Sequence, residues 1–134
     1  MSQIKLFVSG KFADKSFIKA KMNELETLGY CITHDWATHE KSHDNKNDLM
    51  NASVLDINGV KESDIHIIII TDTNYPYRGT FTELGCSLGL NKQVFIWCPF
   101  EKASCMSNPF YYHPLTKHFV SWDKLLEELK NIKK

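Results

Sequence analysis

Short apolar runs alternate along this chain with longer stretches of helical periodicity. Five runs predict strands, at about residues 4–9, 30–33, 65–70, 93–98 and 119–122. Apolar residues three and four positions apart predict helices over about residues 14–28, 47–60, 80–90 and 123–132. The run at 65–70 is apolar at nearly every position, which is typical of a strand buried on both faces.

Each predicted helix has an apolar side that should face a sheet. The residues expected to point inward are Ile18, Met22, Leu25 and Leu28 in the first helix, Met50, Val54, Ile57 and Val60 in the second, and Phe81, Leu84 and Leu88 in the third. Gly85 and Gly89 would let the third helix approach the sheet closely.

The alternation of strands and helices predicts the α/β class. We expect residues 1–134 to form a single flavodoxin-like (Rossmann-like) domain, a three-layer sandwich around a mostly parallel five-stranded sheet. A strand order of 2-1-3-4-5 would open a crevice between strands 1 and 3, at their carboxyl ends. Open α/β sheets bind their ligands in such a crevice.

Glu83 follows the central predicted strand and its turn-rich loop, and it has two interpretations. Thr80 as N-cap and Glu83 three residues later match the capping box, which is a purely structural role. Alternatively, the helix N-terminus keeps Glu83 ionised, and the carboxylate attacks the anomeric carbon of a sugar.

Composition excludes several classes of function. Sixteen Lys and Arg balance sixteen Asp and Glu, which argues against a nucleic-acid-binding protein. Neither a membrane span nor a signal peptide is visible, and the four cysteines form no C-x-x-C pair. We therefore expect a cytoplasmic protein with reduced thiols, buried at Cys31, Cys86 and Cys98.

Two weaker patterns each leave an alternative open. Gly10 and Lys11 follow the first strand and form either a simple turn or part of a phosphate site. A loop contains three histidines and three acids, which indicates either a solvated loop or a metal site. Its spacing matches no zinc motif, so no metal is predicted. These residues are His34, Asp35, His39, Glu40, His43 and Asp44.

Asp56 lies in the second predicted helix and is either an exposed surface residue or a partner of Glu83 in the crevice. Two carboxylates in one crevice suit glycosyl transfer, with one as nucleophile and the other as proton donor. Four aromatic residues in the same loops either pack at the rim or stack on a nucleobase. They are Phe12, Trp36, Tyr75 and Tyr77.

These residues together resemble the nucleoside 2-deoxyribosyltransferase superfamily, which includes the 2′-deoxynucleoside 5′-phosphate N-hydrolases. The resemblance rests on R-G-T-F-T-E-L-G at 78–85, on Asp56 upstream, on Asp64 before the central strand, and on His-Pro-Leu at 113–115. It implies that Glu83 is the nucleophile and that Asp56 holds and protonates the leaving base.

Many members of that superfamily also have a tyrosine near the end of the first strand that positions the nucleophile. Residues 5–7 here are Lys-Leu-Phe, so the role is either empty or passes to Tyr75 or Tyr77. Ser9, Lys11 and Arg78 would replace the serine-rich phosphate pocket of the superfamily. The expected substrate-binding residues are Ser9, Gly10, Lys11, Phe12, Trp36, Tyr77, Arg78 and Gly79.

The favoured function is cleavage or exchange of the N-glycosidic bond of a (deoxy)nucleoside or its 5′-monophosphate, without a cofactor. The alternatives are an NAD-type glycohydrolase and a non-catalytic nucleotide-binding or sensing module. The aromatic loop at 99–114, with Phe100, Met106, Phe110, Tyr111 and Tyr112, indicates a homodimer or larger homo-oligomer.

Overall fold

The computed structural model describes residues 3–38 and 45–132. The strands are β1 (Lys5–Ser9), β2 (Cys31–Ile32), β3 (Ile65–Ile69), β4 (Gln93–Trp97) and β5 (Thr116–Phe119). The α-helices are α1 (Lys15–Thr27), α2 (Lys46–Glu62), α3 (Arg78–Gly89) and α4 (Trp122–Lys130). Short 3-10 helices lie at Phe12–Asp14, Trp36–Thr38, Ser104–Met106 and Pro109–Tyr112.

The five strands form one sheet in the order β2-β1-β3-β4-β5, and every pairing is parallel. The register of β1 on β3 pairs Leu6 with Ile65 and Ser9 with Ile68, so both strands end at the same edge. The predicted flavodoxin-like fold and its strand order are confirmed, and the described part of the sheet is parallel throughout.

Two apolar clusters cover the two faces of this sheet. One joins alternate residues of β1 and β3, such as Val8 and Ile67, to α1 and α4. The other joins Ile68, Ile70 and Leu84 on the face that carries α3. Since side chains alternate between faces along a strand, Ser9 and His66 point to the second face, toward α3.

Helix α2 differs from the prediction, because much of its apolar side is exposed. Met50 and Val54 are 56% and 53% exposed, whereas Gly59 and Val60 near its C-terminal end are buried. A helix of 17 residues spans about 25 Å, and a five-residue strand only about 16 Å. Helix α2 therefore overhangs the sheet at the carboxyl edge, and its early turns have no core beneath them.

Helix α3 also begins earlier than predicted, at Arg78. Thr80 is thus a buried helical residue and not the N-cap, so the capping box is wrong. Gly85 and Gly89 face open space, which contradicts the expected close packing at these positions. The close approach occurs instead at Gly59 of α2, where an added Cβ would lie 2.8 Å from the ring of Phe7.

Smaller differences concern the C-terminal edge and the cysteines. The last strand ends at Phe119, because Ser121 caps α4 by accepting a hydrogen bond from the Lys124 backbone N–H. All four cysteines are free thiols, and the buried one is Cys105 and not the three expected. Among the described helices, none is long and apolar enough to cross a bilayer.

Replacing Gly59 should show how tightly α2 is seated. Gly59→Ala places a methyl group against Phe7 and within 3.1 Å of the His34 Cβ, and overpacking of this kind costs about 1–3 kcal/mol. The matched control is Gly85→Ala in α3, where the methyl group meets nothing and helix propensity should add up to about 1 kcal/mol of stability. Urea denaturation of the two variants measures both changes, and equal effects would contradict the close contact.

The exposed face of α2 bears on assembly. Met106 and Tyr111 of the 99–114 loop are buried within the chain, so less apolar surface of that loop is available for contact with a second copy than expected. We predict that Met50 and Val54, with exposed Phe110, contribute to contact with a second copy of the chain. Met50→Glu with Val54→Glu should lower the mass in sedimentation at micromolar concentration, while Leu28→Glu at the exposed residue that follows α1 should not. A monomeric wild type at that concentration contradicts this prediction.

Candidate active site

A cleft of about 330 Å³ opens at the carboxyl ends of β1 and β3. Loops after β1, β2 and β3 form its floor and sides, and the overhanging turns of α2 form one wall. This is the position at which α/β sheets of this topology bind ligands. The lining residues are Ser9, Gly10, Phe12, Trp36, Asp48, Asn51, Ala52, Leu55, Asp56, Tyr75, Tyr77, Gly79, Thr80 and Glu83.

Eight of the ten predicted site residues are in this lining, but Lys11 and Arg78 are not. The Lys11 ammonium pairs with Asp72 at 2.9 Å and lies 4.9 Å from the centre of the Tyr75 ring. The Asp72 carboxylate raises the pKa of Lys11, since their hydrogen bond favours the charged form. Arg78 is exposed at the first residue of α3.

Glu83 is the sixth residue of α3, beyond the first turn, where the helix dipole acts. The dipole therefore does little to keep this carboxylate ionised, contrary to the expectation. Its hydrogen bond comes from another element, because Ser9 Oγ donates to Glu83 Oε1 at 2.7 Å. The last residue of β1 thus orients a carboxylate that lies 74 positions later in the chain.

Asp56 and Glu83 both line the cleft, and their carboxyl groups hydrogen-bond. The pKa of Glu83 is raised to about 8: burial has the largest effect, the Ser9 hydroxyl lowers the pKa, and the neighbouring Asp56 carboxyl raises it. Asp56 also lies 3.6 Å from His34 Nε2. Two adjacent carboxyl groups in a partly buried site hold one proton between them near neutral pH.

His66 continues the hydrogen bonding behind Glu83, and it is not among the residues predicted from the sequence. Its Nε2 lies 2.6 Å from Ser9 Oγ, and its Nδ1 lies 2.8 Å from Ser87 Oγ on α3. The ring is fully buried, and burial lowers its pKa to about 3, so His66 is neutral. The available signal was a histidine inside an otherwise apolar buried strand.

Tyr77 shapes the loop between β3 and α3 and does not hydrogen-bond to Glu83. It adopts a left-handed backbone, with φ of 52°, which is uncommon for a residue other than glycine. Its hydroxyl accepts hydrogen bonds from the Thr71 and Asp72 backbone N–H groups, at 2.8 and 3.1 Å. The hydroxyl found beside Glu83 is that of Ser9, and not a tyrosine's.

Aromatic rings lie on two sides of the cleft. Phe12 and Trp36 are 6.4 Å apart, and the Trp36 indole is fixed by donating to the Val8 carbonyl at 2.6 Å. Tyr75 packs edge-on against Tyr77 at 4.8 Å. These rigid rings provide flat apolar surfaces next to the two carboxyl groups.

The possible metal loop lies mostly outside the described residues, which include His34 and Asp35 but not His39, Glu40, His43 or Asp44. Within residues 3–38 and 45–132, no three histidine, cysteine or acidic side chains are grouped as metal ligands.

Several solved structures share this fold over nearly the whole chain. A CMP N-glycosidase, BcmB, from Clostridium botulinum is 16% identical, with a TM-score of 0.63 over 94% of this chain and 98% of that one. A 2-desoxiribosyltransferase from Leishmania mexicana is 17% identical, with a TM-score of 0.62 over 98% and 99%. A conserved protein from Enterococcus faecalis is 12% identical, with a TM-score of 0.67 over 97% and 99%.

No protein-family model matches the sequence, and the search of curated proteins finds no match. At identities of 12–17% the structural likeness shows the fold, which is the fold expected from the resemblance.

The raised pKa of Glu83 predicts that Glu83→Gln stabilises the protein at neutral and higher pH. A carboxyl group with a raised pKa contributes stability below its ordinary pKa of 4.5, and that contribution is lost as pH rises through about 8. The neutral amide avoids this loss, so unfolding free energy should rise by at least about 1 kcal/mol.

Thermal or urea unfolding across this pH range tests that prediction. The two proteins should converge well below pH 4.5, where Glu83 is protonated in both the folded and unfolded states. Glu26→Gln on the exposed side of α1 removes a charge outside the cleft and is the matched control. A Glu83→Gln variant that is less stable than wild type at pH 8 would show that burial does not penalise this charge.

Proposed function

We propose that this protein cleaves or exchanges the N-glycosidic bond of a (deoxy)nucleoside or its 5′-monophosphate, with Glu83 as the nucleophile. The observation that carries this proposal is the contact between the Glu83 and Asp56 carboxyl groups on the cleft floor. A pair of carboxyl groups that share a proton supplies both a nucleophile and an acid. The fold shared with a CMP N-glycosidase and a 2-desoxiribosyltransferase supports the same chemistry.

The first step forms one bond and breaks another. An ionised Glu83 oxygen bonds to the anomeric carbon, and the glycosidic C–N bond breaks with its electron pair on the base nitrogen. Asp56 gives its proton to the departing base, which leaves as a neutral molecule. The sugar is then held as an ester of Glu83.

The second step returns the protein to its starting state. Water attacks the anomeric carbon, its proton passes to Asp56, and the ester bond breaks to free the Glu83 carboxylate. When a second base occupies the cleft, its nitrogen takes the place of water and base exchange results. Both outcomes retain configuration at the anomeric carbon, because each involves two displacements.

The cleft lining bears on the choice between nucleoside and nucleotide. The described lining residues include three carboxyl groups, at Asp48, Asp56 and Glu83, and no lysine or arginine. This charge favours an uncharged nucleoside. A 5′-monophosphate would depend on Lys11, which is paired with Asp72, and on Arg78 at the start of α3. The rings of Phe12, Trp36 and Tyr75 would stack on the base.

Incubation with a panel of nucleosides, nucleoside 5′-monophosphates and NAD, followed by chromatography of the free base, tests the proposal. We expect base release from at least one nucleoside or nucleotide. Release of nicotinamide alone would instead identify an NAD glycohydrolase. Tight binding without turnover of any compound would favour the non-catalytic sensing module.

Replacing Glu83 or Asp56 should lower turnover more than replacing other residues of the cleft. Glu83→Gln removes the nucleophile and should lower kcat by about 10³-fold or more. Asp56→Asn cannot donate a carboxyl proton and should lower kcat by about 10²-fold, with affinity changed by under about tenfold. Initial rates and calorimetry on each variant separate the chemical step from binding.

Asp48→Asn is the matched control for the Asp56 substitution. It removes a third carboxyl group from the same helix and the same cleft, two turns before Asp56. We expect kcat to stay within about threefold of wild type, since Asp48 has no role in the proposed steps. Equal losses at Asp48 and Asp56 would mean that the general charge of the cleft matters, and not proton donation by Asp56.

A further inference from the structure

Three buried side chains connect Glu83 to the interior of the protein. Ser9 Oγ lies 2.7 Å from Glu83 Oε1 and 2.6 Å from His66 Nε2, and His66 Nδ1 lies 2.8 Å from Ser87 Oγ. Ser9, His66 and Ser87 are each at most 1% exposed, so water does not compete for these hydrogen bonds. The chain links β1, β3 and α3 and ends at the proposed nucleophile.

Counting the available protons shows which group donates in each hydrogen bond between Ser87, His66, Ser9 and Glu83. A hydroxyl group has one proton to donate, and a neutral imidazole has one N–H. When Glu83 is ionised, the Ser9 proton points to it, so Ser9 must accept its other hydrogen bond from His66 Nε2–H. Nδ1 of His66 is then unprotonated and accepts the proton of Ser87. All three donors point toward the Glu83 carboxylate.

Protonation of the Glu83 oxygen that faces Ser9 would disrupt the same arrangement. That oxygen would donate to Ser9, Ser9 would turn its proton to His66 Nε2, and the ring would need the opposite tautomer. Protonation of the other Glu83 oxygen would keep the arrangement but weaken it, because a hydrogen bond donated to a carboxylate is stronger than one donated to a neutral carboxyl group. The chain therefore stabilises the ionised state of Glu83 more than the protonated state.

We propose that Ser87, His66 and Ser9 act as a positioning chain that orients Glu83 and stabilises its ionised form relative to its protonated form, which favours the arrangement of the carboxyl pair in which Asp56 carries the proton. This inference rests on the proposed function, and it explains how two similar carboxyl groups acquire different roles. Glu83, with a donated hydrogen bond, becomes the nucleophile, and Asp56 becomes the acid. His66 never touches the substrate.

Few other titratable groups face this chain. Besides Ser9, Glu83 faces Asp56 of α2, with His34 of the loop after β2 on the far side of that carboxyl group. Asp48 of α2 and the phenols of Tyr75 and Tyr77 line the same cleft. His66 packs edge-on against the apolar Phe7 ring at 5.3 Å. Among these groups, the Ser9 hydroxyl is the one that donates a hydrogen bond to Glu83 Oε1.

Carbon-13 NMR of glutamate-labelled protein measures the pKa of Glu83 directly and requires no substrate. The Glu83 signal is assigned by its loss in Glu83→Gln. Ser9→Ala removes the donated hydrogen bond and should raise the pKa of Glu83 by about one pH unit or more. In the same titration Ser87→Ala should raise it by less, since Ser9 and the His66 ring remain.

Two substitutions of His66 separate positioning from packing. His66→Gln places an amide N–H near the position of Nε2 and can still donate to Ser9, whereas the shorter His66→Asn places it near Nδ1. We expect the Gln variant to keep the wild-type pKa of Glu83 and at least about half of kcat. The Asn variant should raise the pKa about as far as Ser9→Ala and lower kcat about tenfold, with KM changed by under about threefold.

A double substitution provides the decisive comparison. Ser9→Ala with His66→Asn should give the same pKa of Glu83 as Ser9→Ala alone, because His66 acts only through Ser9. Additive shifts, equal pKa values in the Gln and Asn variants, or an unchanged pKa in Ser9→Ala would each overturn the proposal. Should His66→Asn fail to fold, Ser9→Ala and His66→Gln still decide the question.

The outcomes also separate this proposal from the proposed function. If the substitutions shift the pKa of Glu83 but no substrate is turned over, the positioning chain is supported and the N-glycosidase assignment is rejected. If turnover requires Glu83 but the substitutions leave the pKa of Glu83 unshifted, the proposed enzymatic function is supported and the positioning chain is rejected.

Discussion

The hydrogen bond from Ser9 to Glu83 is the interaction on which the cleft depends. It joins the last residue of β1 to the middle of α3, and it forms only when β1 pairs with β3 in the observed register. A shift of one residue would turn Ser9 to the opposite face of the sheet, where α1 and α4 pack. The hydrogen bond that orients Glu83 in the cleft therefore requires the observed register of the sheet.

Burial of charge in this cleft works against stability. A partly buried carboxyl group beside a second one is costly unless hydrogen bonds compensate, and Ser9 compensates only in part, since the pKa of Glu83 remains raised. Active sites commonly retain such unfavourable charges, because the same lack of solvation makes a carboxylate reactive. The surrounding sheet, with Ile67, Ile68 and Ile69 fully buried, supplies the compensating stability.

Much of the fold was predictable from the sequence, because strand and helix periods are local properties. The apolar run at residues 65–70 predicted a central strand. It did not indicate a role for His66, since one polar residue scarcely alters such a run. The match of Thr80 and Glu83 to a capping motif was misleading. Tyr77 begins α3 from a left-handed conformation that residue type alone does not indicate. The pairing of Lys11 with Asp72 depends on tertiary structure and could not be predicted.

Because α2 overhangs the sheet, a small tilt of the helix would move its first turns more than its last turns. It is anchored to the sheet near Gly59, three residues after Asp56 and eleven residues after Asp48. At 1.5 Å per residue, a tilt of about 10° around that anchor would move Asp48 by about 3 Å but Asp56 by under about 1 Å. The mouth of the cleft can therefore widen to admit or release a ligand while the distance between the two reacting carboxyl groups hardly changes.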